Sequence, residues 1–223
     1  MRKATAEIWQ TVHSERRRLT SDLSDLRDEQ WHVPSLCPGW DVHDVLAHLV
    51  NTARTGRLSF VRDLLTARMD FDRANENGIA REKRQDTQDT LDALKEAADL
   101  TRTPPAKLAT RLVEAIVHGE DIRRPLGIAG CYPERAIAQA LTYQLRTSVS
   151  FGGGRERAAG LRLIDRKTGA AWGQGDDVEA DALDLLLAVS GRHVVPESLT
   201  GSGAPRLALA ATGTSTTRES RHR

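Results

Sequence analysis

From Thr5 to about Glu29 the apolar residues Ile8, Val12, Leu19, Leu23 and Leu26 recur at steps of four, seven, four and three among charged neighbours. That is the stripe of an amphipathic helix laid on a core. Pro34 and the Pro38-Gly39 pair break it, so Trp31 to Trp40 reads as a connection. Asp41 then stands as an N-cap, with Asp44 near the positive end of the helix dipole. A second helix is predicted from Val42 to about Ala67, burying Val42, Val45, Leu46, Leu49 and Ala53. Asn75-Glu76-Asn77-Gly78 reads as a polar break, and a third helix runs from about Thr87 to Leu100. Thr103-Pro104-Pro105 restarts the chain into a fourth helix from Ala106 to about Arg124, ended by Pro125 and Gly127. Helices joined by connections rather than strands predict a four-helix bundle over 1–128.

The last third reads differently. A short helix near Glu134 to Thr147 gives way to Gly152-Gly153-Gly154, which holds regular structure only at an entropic cost. Leu161 and Leu163 alternate with charged residues, Lys167-Thr168-Gly169 turns, and Ala170 to Trp172 returns, the pattern of a hairpin. The apolar run within Asp181 to Ser190 reads as a buried helix stopped at Gly191, and Pro205 to Leu209 as a final strand. The expectation is a mainly α protein, with a small α/β domain over 131–210 behind the bundle. The tail 211–223, rich in Thr, Ser and Arg, has no apolar face and is expected to be disordered.

Charge and composition narrow the partners. Thirty-two basic against thirty-one acidic residues leave a net charge of +1, without the basic surplus that nucleic-acid binding needs. No apolar run approaches the length of a membrane span, and the start from Met1 to Trp9 turns polar before a signal-peptide core forms. Two cysteines, Cys37 and Cys131, are too few for a disulfide framework. A cytoplasmic globular protein acting on small molecules, with neither nucleic acid nor membrane as partner, is the class that remains.

Histidine placement carries the chemistry. His13, His32 and His43 sit among charged or turn residues, and His222 lies in the tail, but His48 falls between Ala47 and Leu49 on the margin of a helical apolar stripe. His118 follows Glu114 by four residues, so both project from one helix face. Two such residues and a third from a facing helix build a three-ligand metal site, with one position left open. The competing reading is plain: Arg111, Glu114, His118 and Asp121 also describe a solvated face of helix ion pairs, and His48 an ordinary half-buried histidine. Asp121 either orients a metal ligand or pairs with Arg123 or Arg124. Trp31 and Trp40 read as core or cap residues, Cys37 as a small hydrophobe, and Arg54 and Arg57 as a solvated face.

The segment Ser35-Leu36-Cys37-Pro38-Gly39-Trp40-Asp41-Val42-His43-Asp44-Val45-Leu46-Ala47-His48-Leu49 resembles the signature of the maleylpyruvate isomerase family of mycothiol-dependent proteins, in the DinB-like superfamily. Glu114-Ala115-Ile116-Val117-His118-Gly119-Glu120-Asp121-Ile122-Arg123-Arg124-Pro125-Leu126-Gly127 resembles that family's second motif. Trp172 to Gly175, Val178 to Arg192 and Leu199-Thr200-Gly201 resemble its small sterol-carrier-like domain. The resemblance implies a DinB-like bundle followed by that α/β domain, and it makes His48, Glu114 and His118 ligands of a divalent cation. Zinc suits two imidazoles and a carboxylate; nickel and iron also fit. It further implies mycothiol, a cysteine-bearing thiol of actinobacteria, as co-substrate.

A cation would deprotonate that thiol, and the thiolate would add to an electrophilic small molecule, ending in isomerisation or group transfer. No residue is assigned to catalysis itself. The family's isomerase also needs a basic residue in its C-terminal domain, for which only Arg206 suggests itself. Two other functions stand beside this one: a metal-dependent hydrolase, with Asp121 as its one available base, and a metal- or small-molecule-binding bundle without catalysis.

Overall fold

The structure, a computed structural model, describes residues 2–212. The chain separates into two compact units, the first closing at Tyr132 and the second opening at Pro133.

The first unit holds α1 (Arg2–Asp22), α2 (Asp28–Trp31), α3 (Val42–Arg54), α4 (Arg57–Thr66), α5 (Phe71–Glu82), α6 (Thr87–Ala97) and α7 (Thr110–Arg123). Helices α1, α3, α6 and α7 form the four-helix bundle, each packing on two others of the set. Helix α5 lies along α3, and α4 rests on α5. Leu19, Trp31, Val45, Leu46, Leu94 and Ile122 fill the core between them.

With α5, α6 and α7 around it, α3 is buried at every position from Val42 to Ala53 except Asp44. This is why its sequence is apolar on nearly all sides, and why a histidine placed there is shielded from water. Its start is fixed as expected. The Asp44 amide donates to Asp41 Oδ1 at 2.7 Å, and the Asp41 amide donates to Asp44 Oδ2 at 3.1 Å, closing the first turn reciprocally.

Several boundaries depart from the pattern reading. The first stripe splits: α1 ends at Asp22, and a turn swings α2 inward so that Trp31 is fully buried. The long second helix breaks at Thr55-Gly56, where the Ser59 hydroxyl accepts from the Gly56 amide and opens α4. The expected break at 75–78 is instead the interior of α5, and the true break lies at Arg68 and Met69, both at positive φ. Gly78 is there for contact, since any Cβ would overlap the Asn51 side chain on α3. The third helix stops at Ala97 rather than Leu100, and the fourth starts at Thr110 rather than Ala106.

The second unit contains α8 (Glu134–Gln144), β1 (Leu161–Asp165), β2 (Ala171–Gly173), β3 (Asp176–Ala180), α9 (Ala182–Val189) and α10 (Ala204–Thr212). The hairpin of β1 and β2 forms as expected, pairing Leu163 with Trp172. Strand β3, hidden in the acidic run Asp176 to Glu179, adds parallel to β1 and pairs Val178 with Leu163. The order β2-β1-β3 requires the chain to cross the start of β1. It does so at Gly175, at φ +125, where a Cβ would strike the Gly160 carbonyl. Helix α9 covers the sheet and packs against α8 and α10.

The strand expected at 205–209 is helical instead. Leu207 and Ala211 are buried on α10, and Leu209 is exposed on its far side. The helix runs through Thr212, two residues into the expected tail; the rest of that tail, 213–223, lies outside the described residues.

The cap of α3 gives a checkable energy. Asp41→Ala is expected to lower stability by about 1 kcal/mol in urea unfolding at neutral pH. Burial opposes ionisation of Asp41, but the Asp44 amide, His32 and Lys83 outweigh it and hold the carboxyl below its ordinary value. A depressed carboxylate stabilises above its unfolded value and ceases to as pH falls through the folded one. The gap between wild type and variant is therefore expected to close in acid.

Candidate metal centre

Helix α3 supplies His48, and α7 supplies Glu114 and His118 one turn apart. Glu114 Oε2 stands 3.3 Å from His48 Nε2 and 3.6 Å from His118 Nε2. The two imidazole rings lie 4.7 Å apart at 72°. One ligand atom from each residue falls within 4.8 Å of the others. The three residues expected to converge are thus brought together. His48 is buried, while Glu114 and His118 keep partial exposure, so the cluster is reached from one side.

The stripe of α7 is no solvated face: Arg111 and Asp121 are fully buried or nearly so. Arg111 reaches across to α3 and donates to the Thr52 carbonyl at 2.9 Å. Burial opposes charge on Glu114, yet His48, His118 and Arg111 outweigh it and hold the carboxyl well below the usual carboxylate range. Burial is also the main influence on His48, and with the neighbouring His118 it lowers the imidazole's proton affinity despite Glu114. The chain therefore favours a neutral imidazole beside an ionised carboxylate, the protonation states a cation requires. His48 Nδ1 and Glu114 Oε2 are buried without a hydrogen-bond partner among the described residues. A buried carboxylate oxygen left over beside two imidazoles is suited to accept a cation.

Two side chains have a larger part here than the sequence reading gave them. Trp40 lies against both imidazoles, its ring 5.1 Å from that of His48 and 6.4 Å from that of His118. Trp31, by contrast, is core. Asp121 accepts from His118 Nδ1 at 2.9 Å, while Arg123 pairs with Asp22 and Arg124 with Glu120. Of the remaining candidates, Cys37 packs on the core and Arg54 pairs with Glu82 and Glu96. Arg57 is exposed, and Arg206 donates to the Ala159 and Gly160 carbonyls.

Behind the cluster, α7 is tied to α1. Fully buried Arg123 donates to Asp22 at 2.7 Å and to the Tyr132 hydroxyl at 2.7 Å, and lies 3.7 Å from Glu15. The Tyr132 hydroxyl in turn donates to Glu120 at 2.8 Å.

Comparison with known proteins agrees with this architecture. Residues 12–103 match the family model described as the mycothiol maleylpyruvate isomerase N-terminal domain. Two solved structures share the fold. One is a mycothiol-dependent maleylpyruvate isomerase, with a TM-score of 0.63 at 15% identity. The other is a histidine-to-alanine mutant of such an isomerase, with a TM-score of 0.63 at 14% identity. Each likeness covers 90% of this chain and 93% of the other. No curated protein matches the sequence. The family model covers the first of the two motifs, and the mainly α fold that the resemblance implied is borne out.

Arg123 is the keystone of the scaffold under the site. Arg123→Met keeps most of the volume but strands the buried carboxylate of Glu15 and the half-buried one of Asp22. Breaking a buried pair from one side costs about 3–5 kcal/mol. Chemical unfolding is expected to show a loss of that order.

Proposed function

We propose that this chain is a metal- and mycothiol-dependent enzyme of the maleylpyruvate isomerase family, with His48, Glu114 and His118 holding the cation. The observation that carries the reading is the spacing of the three ligand atoms. Ligands about 2.0–2.2 Å from one tetrahedral cation stand roughly 3.4 Å apart, and both contacts of Glu114 Oε2 straddle that value. The orphaned Glu114 Oε2 fits the same occupant. Two imidazoles and a carboxylate suit zinc, with nickel and iron also compatible.

A divalent cation held by three protein ligands supplies, at its fourth position, the charge that turns a thiol into a thiolate at neutral pH. The chain's own residues prepare that position. Glu114 stays ionised and offsets the cation's charge. Burial lowers the proton affinity of His48. Trp40 covers one side of both rings, which limits water at the ligands and strengthens electrostatic interactions there.

Isomerisation then requires reversible addition of the thiolate to a conjugated double bond, rotation about the resulting single bond, and elimination; transfer stops after the addition. A hydrolase would need a free base beside the cation. Its one candidate, Asp121, is fully buried and bonded to His118, which favours thiol chemistry. In this reading the bundle carries the metal, and the unit from Pro133 onward is a separate small domain.

Metal analysis of the purified protein tests the reading directly. Wild type is expected to hold about one divalent ion per chain, and His48→Ala and His118→Ala to lose it along with any mycothiol-dependent isomerase or transferase turnover. Full metal content in both variants would remove the proposal.

A further inference from the structure

The two imidazoles of the cluster are held by different means, and the difference assigns a task to Asp121. His48 Nδ1 is buried with no hydrogen-bond partner among the described residues, and the ring is held by its contacts with Trp40 and His118 and by Glu114 Oε2, 3.3 Å from Nε2. His118 is fixed by a hydrogen bond from Nδ1 to Asp121 Oδ2 at 2.9 Å.

A carboxylate accepts but cannot donate, so it commits the neutral ring's proton to Nδ1 and leaves a lone pair on Nε2. That Nε2 is the atom 3.6 Å from Glu114 Oε2. A lone pair aimed at an anionic oxygen is unfavourable unless a positive centre lies between them. Asp121 itself is fully buried one turn further along α7, on the Nδ1 side of the ring. Its main-chain carbonyl also accepts from the Leu36 amide at 3.1 Å, which ties down the connection that ends in Trp40.

We infer that Asp121 is a positioning residue that locks His118 in its Nδ1–H tautomer and so keeps Nε2 open for a divalent cation. This rests on the metal reading above, and the two can fail separately. The test is made on the full chain with Asp121→Asn and Asp121→Ala, using two readouts. In the metal-free protein, ¹⁵N shifts of the His118 ring report which nitrogen carries the proton. Wild type is expected to show Nδ1–H and Asp121→Ala predominantly Nε2–H. Asp121→Asn is expected to show a mixture, because its amide can accept from or donate to Nδ1.

Zinc titration is expected to show affinity falling about 10–100-fold in Asp121→Ala, with Asp121→Asn in between. Should Asp121→Ala not fold, the near-isosteric Asp121→Asn carries both readouts. An unchanged tautomer together with wild-type zinc affinity in a folded variant overturns the inference. A shifted tautomer in a protein that binds no zinc in any form overturns the metal reading and leaves the tautomer lock standing.

Discussion

The structure depends on a helix that buries charged side chains along with its apolar ones. Helix α7 turns Arg111, Glu114, Glu120, Asp121 and Arg123 into the bundle, where each would be costly without a partner. The other helices are built around that demand. Helix α1 brings Glu15 and Asp22 to Arg123, α3 gives the Thr52 carbonyl to Arg111, and Tyr132 joins Arg123 to Glu120. Among the described residues the satisfaction is incomplete at several atoms along this network, Glu15 Oε2, Arg111 Nε and Arg123 Nη2 among them, and in the cluster at His48 Nδ1 and Glu114 Oε2.

Much of this was legible from the sequence, and what was not has identifiable causes. The cap at Asp41 was readable because it is a local hydrogen-bonding pattern. The convergence of His48, Glu114 and His118 was visible as spacing on α7 and as a histidine set against an apolar stripe on α3, but the same spacing fits a solvated face. Only tertiary packing decides between the two. The boundaries that failed were those where a long-range contact overrules local preference. Gly78 looked like a break and is a close approach to Asn51; the turn at Arg68 and Met69, just past the expected helix end at Ala67, takes positive φ without a glycine to announce it. Strand β3 was hidden because its acidic residues resemble a loop, and only Val178 and Ala180 face inward. The run 205–209 was too short for its period to separate strand from helix.

Trp40 and Asp121 show the same limit at the scale of single side chains. Both stand in quoted motifs, yet nothing in the order of residues says that one indole meets two imidazoles, or that Asp121 meets His118 in preference to a nearby arginine. Those are statements about direction, and direction is set by the bundle.

The pairing of α1 with α7 makes the opening and closing helices of the bundle neighbours, so the architecture is circular rather than cumulative. A nascent chain that has emerged only as far as α6 lacks Arg123 for Glu15 and Asp22 and lacks Glu114 and His118 for His48. The stretch matched by the family model stops within that incomplete portion. The end of that match is therefore not a point at which the bundle is complete.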